Sequence, residues 1–321
     1  MVIPLSASKK ILITGAQGFL GSYLTYFLSN IGYKLVISVS NTIWRPLLKE
    51  TIQKKDIEIY FGSILTEKGR KEIVPYLKDV DTVIHLERIW GGEDLQNGLV
   101  KEINENLFGT VEFVKLAYQY SDEVIFTSST DVYGAISKNP FTEGMPSNPT
   151  CIYSITKYST EKYLQKIAEN LSKKLIILRI STIYGPYEIC NKAIPNFIKA
   201  FLKNESLEIR SSKDTFRDFI FIEDVCSAIN LCIQYDLENI VILNIGYGKT
   251  ISLENLISVI HEIISNKETL ININEIKIKY GKILVDISKA KLLLGFYPKF
   301  NIYQGLHKEI EWLKEYLNIK S

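Results

Sequence analysis

The most constraining feature of this chain lies near its N-terminus, where an apolar run meets three evenly spaced glycines. Lys10–Thr14 is followed at once by Gly15-x-x-Gly18-x-x-Gly21, and Ser22–Ile31 has the pattern of a helix. Glycines so placed allow a tight turn, close approach of a pyrophosphate to the backbone, and close helix–sheet packing. The start of the helix offers free N–H groups and partial positive charge to phosphates. Because the pattern joins a strand to a helix, it predicts a dinucleotide-binding unit.

Short apolar strands alternate with amphipathic helices through the first half of the chain, which is typical of a parallel, doubly wound sheet. We therefore predict an α/β fold: a Rossmann-type doubly wound parallel sheet with a smaller mixed α/β C-terminal substrate lobe. The Rossmann domain is expected at 1–185, with a contribution from about 217–247, and the interleaved lobe at 186–321. The strands expected in the sheet are Lys10–Thr14, Leu35–Val39, Ile57–Phe61, Thr82–Leu86, Glu123–Thr127 and Leu175–Leu178. Other expected elements are helices at Asn104–Tyr120 and Tyr153–Leu171 and a strand at Phe219–Ile222.

Composition excludes several functional classes. The 321 residues include 38 basic and 36 acidic ones, for a net charge of +2, and no basic stretch indicates a nucleic-acid partner. No apolar run reaches membrane-spanning length, and the segment before Ile11 is too short and polar for a signal peptide. The four cysteines form no C-x-x-C pair and the three histidines are far apart, so we expect no metal site. We expect a cytoplasmic protein.

A second pattern follows the predicted fifth strand, which is followed by Ser128-Ser129. Tyr153 and Lys157 are four residues apart and share one face of a predicted helix. A tyrosine accepts a proton if its pKa falls well below the usual value of about 10, and a lysine one turn away favours the phenolate. Ser129 would hydrogen-bond the reacting oxygen. The three side chains predict proton transfer coupled to hydride transfer by a nicotinamide cofactor.

The end of the second strand bears on which nicotinamide cofactor binds. NAD-binding proteins usually have an acidic residue there for the ribose hydroxyls, whereas this chain has Ser40-Asn41. Arg45 follows, either to meet a 2′-phosphate or as a surface arginine ahead of Pro46. We expect NADP or NAD, with Arg45 favouring NADP slightly.

In the order and coverage of its motifs, the chain resembles the extended short-chain dehydrogenases/reductases of the NAD-dependent epimerase/dehydratase family, which act on nucleotide sugars. The resemblance runs over nearly the whole chain. After the glycine pattern, the segments that carry it are 81–86 (DTVIHL), 106–110 (NLFGT), 128–134 (SSTDVYG), 153–157 (YSITK), 184–186 (YGP), 217–225 (RDFIFIEDV), 244–246 (NIG) and 286–290 (DISKA).

The resemblance implies roles for individual residues. Ser129, Tyr153 and Lys157 are expected to be catalytic. The expected cofactor contacts are Gly15, Gln17, Gly18, Phe19, Leu20, Gly21, Ser40, Asn41, Arg45, Ser63, Ile64, Leu86, Asn106, Tyr153 and Lys157. The expected substrate contacts are Ser129, Thr130, Asn196, Arg217 and Lys279. The family's Arg-x-Gly-Asp segment before the last motif is absent, and its expected replacement is Lys277, Lys279 or Lys282.

Two strand ends also depart from the family pattern. The third strand ends Gly62-Ser63 where the family has Gly-Asp, so the carboxylate that reads the adenine amino group is missing. Leu86 is followed by Glu87-Arg88 where the family has small alanines. Glu87 is expected either to pair with Arg88, to face the sugar, or to lie in solvent together with Arg88.

Asp131 bears on the type of reaction. Family members that dehydrate or decarboxylate carry a carboxylate two residues before the tyrosine of Val-Tyr-Gly, whereas 4-epimerases and reductases have a small or hydroxyl residue there. This chain has Asp131 two residues before Tyr133, with Thr130 where 4,6-dehydratases carry a neighbouring acid. Asp131 is therefore a minor catalytic candidate, or it caps the turn before Tyr133.

The hypothesis that results is an NAD(P)-dependent NDP-hexose 4-epimerase acting on a nucleotide sugar. The alternatives are an NADPH-dependent NDP-4-keto-sugar reductase, a 4,6-dehydratase or decarboxylase that uses Asp131, and a non-catalytic NAD(P)-binding protein. The resemblance also implies a homodimer formed through helices such as Asn104–Tyr120 and Tyr153–Leu171.

Overall fold

The computed structural model describes residues 9–40, 45–89, 97–134, 139–189, 192–211, 215–264, 271–275 and 282–319. Its strands are Lys10–Thr14 (β1), Lys34–Val39 (β2), Ile57–Phe61 (β3), Thr82–His85 (β4), Glu123–Ser129 (β5), Lys174–Ile180 (β6), Thr182–Tyr184 (β7), Leu207–Ser211 (β8), Phe216–Phe221 (β9), Ile240–Ile245 (β10), Thr250–Ser252 (β11), Ile271–Glu275 (β12) and Lys282–Ile283 (β13). Its α-helices are Phe19–Ile31 (α1), Pro46–Lys54 (α2), Glu67–Glu72 (α3), Asn97–Lys101 (α4), Thr110–Ala117 (α5), Ile152–Leu171 (α6), Ala193–Lys203 (α7), Ile222–Gln234 (α8), Leu253–Ile264 (α9), Ser288–Leu294 (α10) and Ile302–Tyr316 (α11).

Within the described residues, seven strands form one parallel sheet in the order β10-β6-β5-β4-β1-β2-β3. This confirms the predicted fold class. The chain leaves β1 toward β2 and β3 and then returns to place β4 on the other side of β1. Such a switch opens a crevice outside the carboxyl ends of the strands, where ligands bind. β10 pairs with β6 and comes from within 217–247, while the domain boundaries themselves stay a prediction.

Helices cover both faces of this sheet, which is why its central strands carry buried apolar residues on both sides. On one face, Ile11 and Ile13 belong to a buried cluster that includes Leu24 of α1 and Ile229 of α8. On the other face, Leu12 belongs to a cluster with residues of α5 and α6. Because helices pack on both faces of the sheet, the carboxyl ends of its central strands are held in fixed positions along one edge.

A smaller mixed sheet surrounds β9, which pairs in parallel with β7 and β13 and antiparallel with β11. A further parallel pair joins β8 to β12. β9 carries Arg217, so this sheet presents a predicted substrate contact beside the main crevice. In the ranges described, no helix has both the length and the apolar character needed to cross a membrane.

Several predicted elements differ from the structure in their bounds: the strand predicted at Thr82–Leu86 ends at His85, and those predicted at Glu123–Thr127 and Leu175–Leu178 extend to Ser129 and Ile180. The helix predicted at Asn104–Tyr120 begins earlier, because α4 continues into a π-helical segment at Glu102–Gly109 and then into α5. π-Helical turns occur frequently at functional sites, and apolar spacing alone does not distinguish them from α-helix. The strand predicted at Phe219–Ile222 ends one residue earlier, because Ile222 begins α8.

A buried ion pair joins α6 to the sheet. Arg179 of β6 donates from Nε to Oε1 of Glu161 at 3.1 Å and from Nη2 to Oε2 at 2.7 Å. Both side chains are almost completely buried. The guanidinium also lies 4.9 Å from the ring centroid of Tyr133. These contacts fix the position of α6 relative to β5 and β6.

We expect Glu161→Ala to lower the free energy of unfolding by about 3–5 kcal/mol, because the Arg179 charge would stay buried without its carboxylate partner. Chemical denaturation measures the change. The matched control is Glu169→Ala, which breaks an exposed pair with Lys166 on the same helix and should cost below about 1 kcal/mol. Equal losses in the two variants would contradict the role given to the buried pair.

Candidate active site

The glycine turn brings the backbone after β1 against the segment after β4. Gly15 has a φ of +69°, and a β-carbon on it would lie 2.7 Å from Cα of Glu87. A β-carbon on Gly21 would lie 2.3 Å from the carbonyl oxygen of Gly15. Both positions therefore require glycine. No described side chain caps the start of α1 at Gly18, so this helix end is suited to bind an anion. The residues present fit the pyrophosphate of a dinucleotide.

A cavity of about 480 Å³ opens at the carboxyl ends of the central strands. This is the edge at which parallel α/β sheets bind ligands. Its lining comprises Leu20, Leu86, Arg88, Thr127, Ser128, Ser129, Thr130, Asp131, Tyr153, Lys157, Ile180, Ser181, Thr182, Ile183 and Lys192. In the described part of the chain, no group of three or more His, Cys, Asp or Glu side chains is arranged to hold a metal ion.

The three side chains predicted to transfer a proton line this cavity together. Ser129 ends β5, while Tyr153 and Lys157 lie in the first turns of α6. Nζ of Lys157 donates a hydrogen bond of 2.7 Å to the carbonyl oxygen of Thr127. The Ser129 hydroxyl accepts one of 3.1 Å from the backbone N–H of Asp131. Their catalytic roles stay predictions. Those roles require the three side chains to line one common cavity, and they do so here.

Burial dominates the ionisation of these groups. Burial raises the pKa of Tyr153 and Asp131 raises it further, whereas Arg88 and Ser129 lower it. Burial lowers the pKa of Lys157 to about 7, and the positive charge of Arg88 adds to this effect. Lys157 is therefore deprotonated more readily than an ordinary lysine.

Asp131 lies between the main cavity and a neighbouring one of about 250 Å³. Thr130, Asp131 and Arg217 all line the smaller cavity. Burial raises the pKa of Asp131, and the positive charge of Arg217 opposes that shift. Thr130 and Asp131 thus share the main cavity with Tyr153, while Arg217 lies in the adjoining cavity.

The predicted cofactor contacts divide between the cavity and its surroundings. Leu20 and Leu86 line the cavity. Gln17 and Ser40 bind each other: Gln17 Nε2 donates to Ser40 Oγ at 2.6 Å, and the Ser40 N–H donates to Gln17 Oε1 at 3.2 Å. This pair joins the glycine turn to the end of β2.

Asn106 lies in the π-helical segment with its amide engaged inside the protein. Its Oδ1 accepts a hydrogen bond from the Ile89 N–H, and its Nδ2 donates to the Ile89 carbonyl, each at 2.8 Å. Nδ2 also donates to Glu102. The side chain therefore holds the segment after β4, and its predicted cofactor contact stays a prediction.

Glu87 is buried, so the interpretation that it lies in solvent is wrong. Its Oε2 accepts a hydrogen bond of 3.2 Å from the Ser38 hydroxyl at the end of β2. Burial raises the pKa of Glu87 to about 7, while hydrogen bonds from Ser63 and Ile64 lower it. The carboxyl group therefore reaches the ends of β2 and β3, where Ser63 and Ile64 are predicted to contact the cofactor.

Arg45 is also buried, so the interpretation that it is a surface arginine is wrong. Its Nη1 donates a hydrogen bond of 2.5 Å to the carbonyl oxygen of Tyr187, and its Nη2 lies 3.5 Å from Oε1 of Glu188. Glu188 in turn pairs with Lys192 at 2.7 Å. These contacts join the start of α2 to the segment before α7 and direct the Arg45 guanidinium toward a protein carboxylate.

The remaining predicted contacts lie elsewhere. Asn196 is exposed on α7 and does not line the two cavities described above. Asn41 and Lys279 lie outside the described residues.

Sequence reasoning missed Ser128, whose buried hydroxyl lines the main cavity with no hydrogen-bond partner among the described residues. It also missed Lys192, which no local pattern distinguishes from other surface lysines.

A sequence model of the NAD dependent epimerase/dehydratase family matches residues 11–246. The match spans the glycine turn, the cavity and all seven strands of the main sheet. The chain belongs to this family. The resemblance drawn from the motifs is therefore confirmed.

Three relatives illustrate the range of this family. The Escherichia coli dTDP-4-dehydro-6-deoxyglucose reductase is 30% identical, over 95% of this chain and 97% of its own length. The solved UDP-glucose 4-epimerase of Thermotoga maritima with UDP-glucose is 26% identical, with a TM-score of 0.85 over 96% of this chain and 99% of that one. The UDP-glucuronic acid 4-epimerase of Bacillus cereus, solved with UDP-glucuronic acid and NAD, is 27% identical, with a TM-score of 0.81 over the same shares.

We expect Gly21→Ala to weaken NAD binding by at least about tenfold, because its β-carbon would displace the turn predicted to hold the pyrophosphate. Calorimetry with NAD, and in parallel with NADP, measures the affinities. The control is Gly144→Ala, in an exposed position where a β-carbon meets nothing within 4 Å. A folded Gly21→Ala protein with unchanged NAD affinity would show that the cofactor binds elsewhere.

Proposed function

We propose that this protein is an NAD-dependent NDP-hexose 4-epimerase. The observation that carries the proposal is the meeting of Ser129, Tyr153 and Lys157 in one cavity, beside a glycine turn suited to a dinucleotide. The cavity of about 480 Å³ is within the usual size range for small-molecule sites. The solved epimerases described above support the same reaction class at 26% and 27% identity.

In the proposed reaction, the phenolate oxygen of Tyr153 accepts the proton of the sugar C4 hydroxyl. A nicotinamide cofactor held at the glycine turn would supply the hydride acceptor for C4 and the donor that restores it. Ser129 hydrogen-bonds the C4 oxygen and keeps it in position while the carbonyl forms. After the keto-sugar turns over in the cavity, Tyr153 gives the proton back to the same oxygen. No proton or electron is gained or lost over the cycle.

We infer NAD rather than NADP as the cofactor. The sequence favoured NADP slightly because Arg45 can meet a 2′-phosphate, but the Arg45 guanidinium contacts Tyr187 and Glu188. The epimerase of Bacillus cereus was solved with NAD. A higher affinity for NADP than for NAD in calorimetry would contradict this inference.

We expect purified protein to interconvert the C4 epimers of a UDP- or dTDP-hexose or of UDP-glucuronic acid without added reductant. Tyr153→Phe should lower kcat by at least about 100-fold, because the general base is removed. Product analysis by NMR measures both. The control is Tyr163→Phe, an exposed tyrosine on the same helix, which should keep full activity. Unchanged turnover in Tyr153→Phe would overturn the mechanism.

Asp131 supports dehydration or decarboxylation as a second candidate function. Its carboxyl lines the same cavity as Tyr153, and burial raises its pKa, which suits a group that exchanges protons. In dehydration, Asp131 would remove the C5 proton once C4 is oxidised, and the C6 hydroxyl would leave with a proton as water. In decarboxylation, CO₂ would leave from C5, and Asp131 would give that carbon the proton that replaces it.

If that second function is correct, wild-type protein should form a 4-keto-6-deoxy sugar or release CO₂ from a uronic acid, and Asp131→Asn should lose that product while still oxidising C4. Mass spectrometry of the products measures this. If Asp131→Asn instead keeps full epimerase activity and neither product forms, Asp131 has no chemical role.

Two further alternatives have distinct outcomes in the same assays. Net consumption of NADPH by a 4-keto sugar would favour a reductase, the activity named for the relative from Escherichia coli. NAD binding with no turnover of any sugar would favour a non-catalytic protein.

The homodimer also stays a prediction. Exposed apolar side chains that a second copy would cover are Leu99, Val100, Ile103, Phe108, Ile155 and Tyr163.

A further inference from the structure

Arg88 lies directly against the side chain predicted to move the proton. Its guanidinium carbon is 4.4 Å from the centroid of the Tyr153 ring, and both residues line the main cavity. A cation over an aromatic ring is attracted to the negative face of that ring. In a phenolate, part of the oxygen charge is delocalised into the ring, so the attraction is stronger for ionised tyrosine than for neutral tyrosine.

Buried polar contacts hold Arg88 in this position. Its Nη2 donates a hydrogen bond of 2.9 Å to Oε1 of Glu102, which is 3% exposed. Asn106, four residues later in the π-helical segment, donates to the other Glu102 oxygen and binds both backbone groups of Ile89. The arginine is thus fixed through its head group and through the backbone that follows it.

Lys157 offers Tyr153 less positive charge than its place in the sequence suggests. Its Nζ donates to the carbonyl oxygen of Thr127 and lies 4.7 Å from the ring centroid of Phe126. Burial lowers the pKa of Lys157 to about 7, whereas an arginine stays charged at every pH that folded proteins tolerate. Arg88 therefore keeps its charge under conditions in which Lys157 loses its proton.

The surroundings of Tyr153 otherwise oppose its ionisation. Burial and the carboxylate of Asp131 raise its pKa, and Arg88 is foremost among the groups that lower it. Among the described residues, the other charged or titratable groups around Tyr153, Lys157 and Arg88 come from four elements. They are His85 and Glu87 in and after β4, Glu102 of the π-helical segment, Cys151 and Glu161 in or beside α6, and Arg217 of β9, which acts on Asp131.

We propose that Arg88 is a positioning residue of this active site, the second cation that stabilises ionised Tyr153 before the sugar hydroxyl gives up its proton. The proposal rests on the proposed function for the reaction, but the contact between Arg88 and Tyr153 can be tested without turnover. It gives a role to the departure from the family pattern at Glu87-Arg88. Glu102 and Asn106 serve the same end by holding the guanidinium over the ring.

The direct test places difluorotyrosine at position 153 and follows its fluorine NMR signal against pH in the NAD-loaded protein. Fluorine lowers the pKa of the phenol and gives a single reporter among 19 tyrosines. In Arg88→Gln, the pKa at position 153 should rise by at least about one unit, equivalent to about a tenfold smaller phenolate fraction. Arg88→Lys keeps the charge and should restore most of the shift.

The matched control is Lys166→Gln, which removes a cation from an exposed pair farther along α6 and should leave the titration unchanged. If Arg88→Gln fails to fold, Arg88→Met replaces it, because an unbranched apolar chain covers the same ring surface. An unchanged pKa at position 153 in a folded neutral variant overturns the proposal.

Kinetics separate this proposal from the proposed function. With a sugar that is turned over, Arg88→Gln should move the acidic limb of the kcat profile to higher pH by the same amount, with activity recovering above the new pKa. A higher KM with an unmoved profile would make Arg88 a substrate contact and overturn its assigned role. If no UDP- or dTDP-sugar reacts, the proposed function fails, while the fluorine titration still decides the role of Arg88.

Discussion

The whole site depends on a close backbone contact at the carboxyl edge of the parallel sheet. Because Gly15 and Gly21 carry no β-carbon, the turn after β1 lies against both the segment after β4 and the first turn of α1. Parallel strands end at the same edge, so β5 brings Ser129 to the crevice that this turn opens. The buried ion pair between Arg179 of β6 and Glu161 of α6 fixes this helix so that Tyr153 and Lys157 line the same crevice. The glycine turn and the side chains of Ser129, Tyr153 and Lys157 are neighbours because the topology brings them to one edge of the sheet.

Burial then determines which charges this edge holds. A buried charge is unfavourable unless a partner compensates it, and the structure supplies partners from distant segments. Arg88 meets Glu102, and Arg45 meets Glu188. The same desolvation lowers the pKa of Lys157. One departure from the family pattern, Arg88 after β4, thus lies beside Tyr153, the tyrosine that shares a helix face with Lys157.

Local patterns predicted the sheet, the glycine turn and the meeting of Ser129, Tyr153 and Lys157, because each follows from spacing along a strand or helix. They did not predict the π-helical segment at Glu102–Gly109, whose apolar spacing resembles that of an α-helix. They also misjudged the surroundings of Arg45, since a charged residue beside a proline gives no local sign of burial.

By itself, the sequence determined a strand–turn–helix cradle, a doubly wound parallel sheet and a tyrosine–lysine pair on one helix face. Backbone sterics and side-chain periodicity act over a few residues, so these features can be read directly from the chain. Only the tertiary structure decided that Arg88 covers Tyr153 and that Arg45 pairs with Glu188, which is 143 residues away in sequence. Such pairings depend on how distant segments pack, and burial enforces them because an uncompensated charge in the interior is too costly to keep.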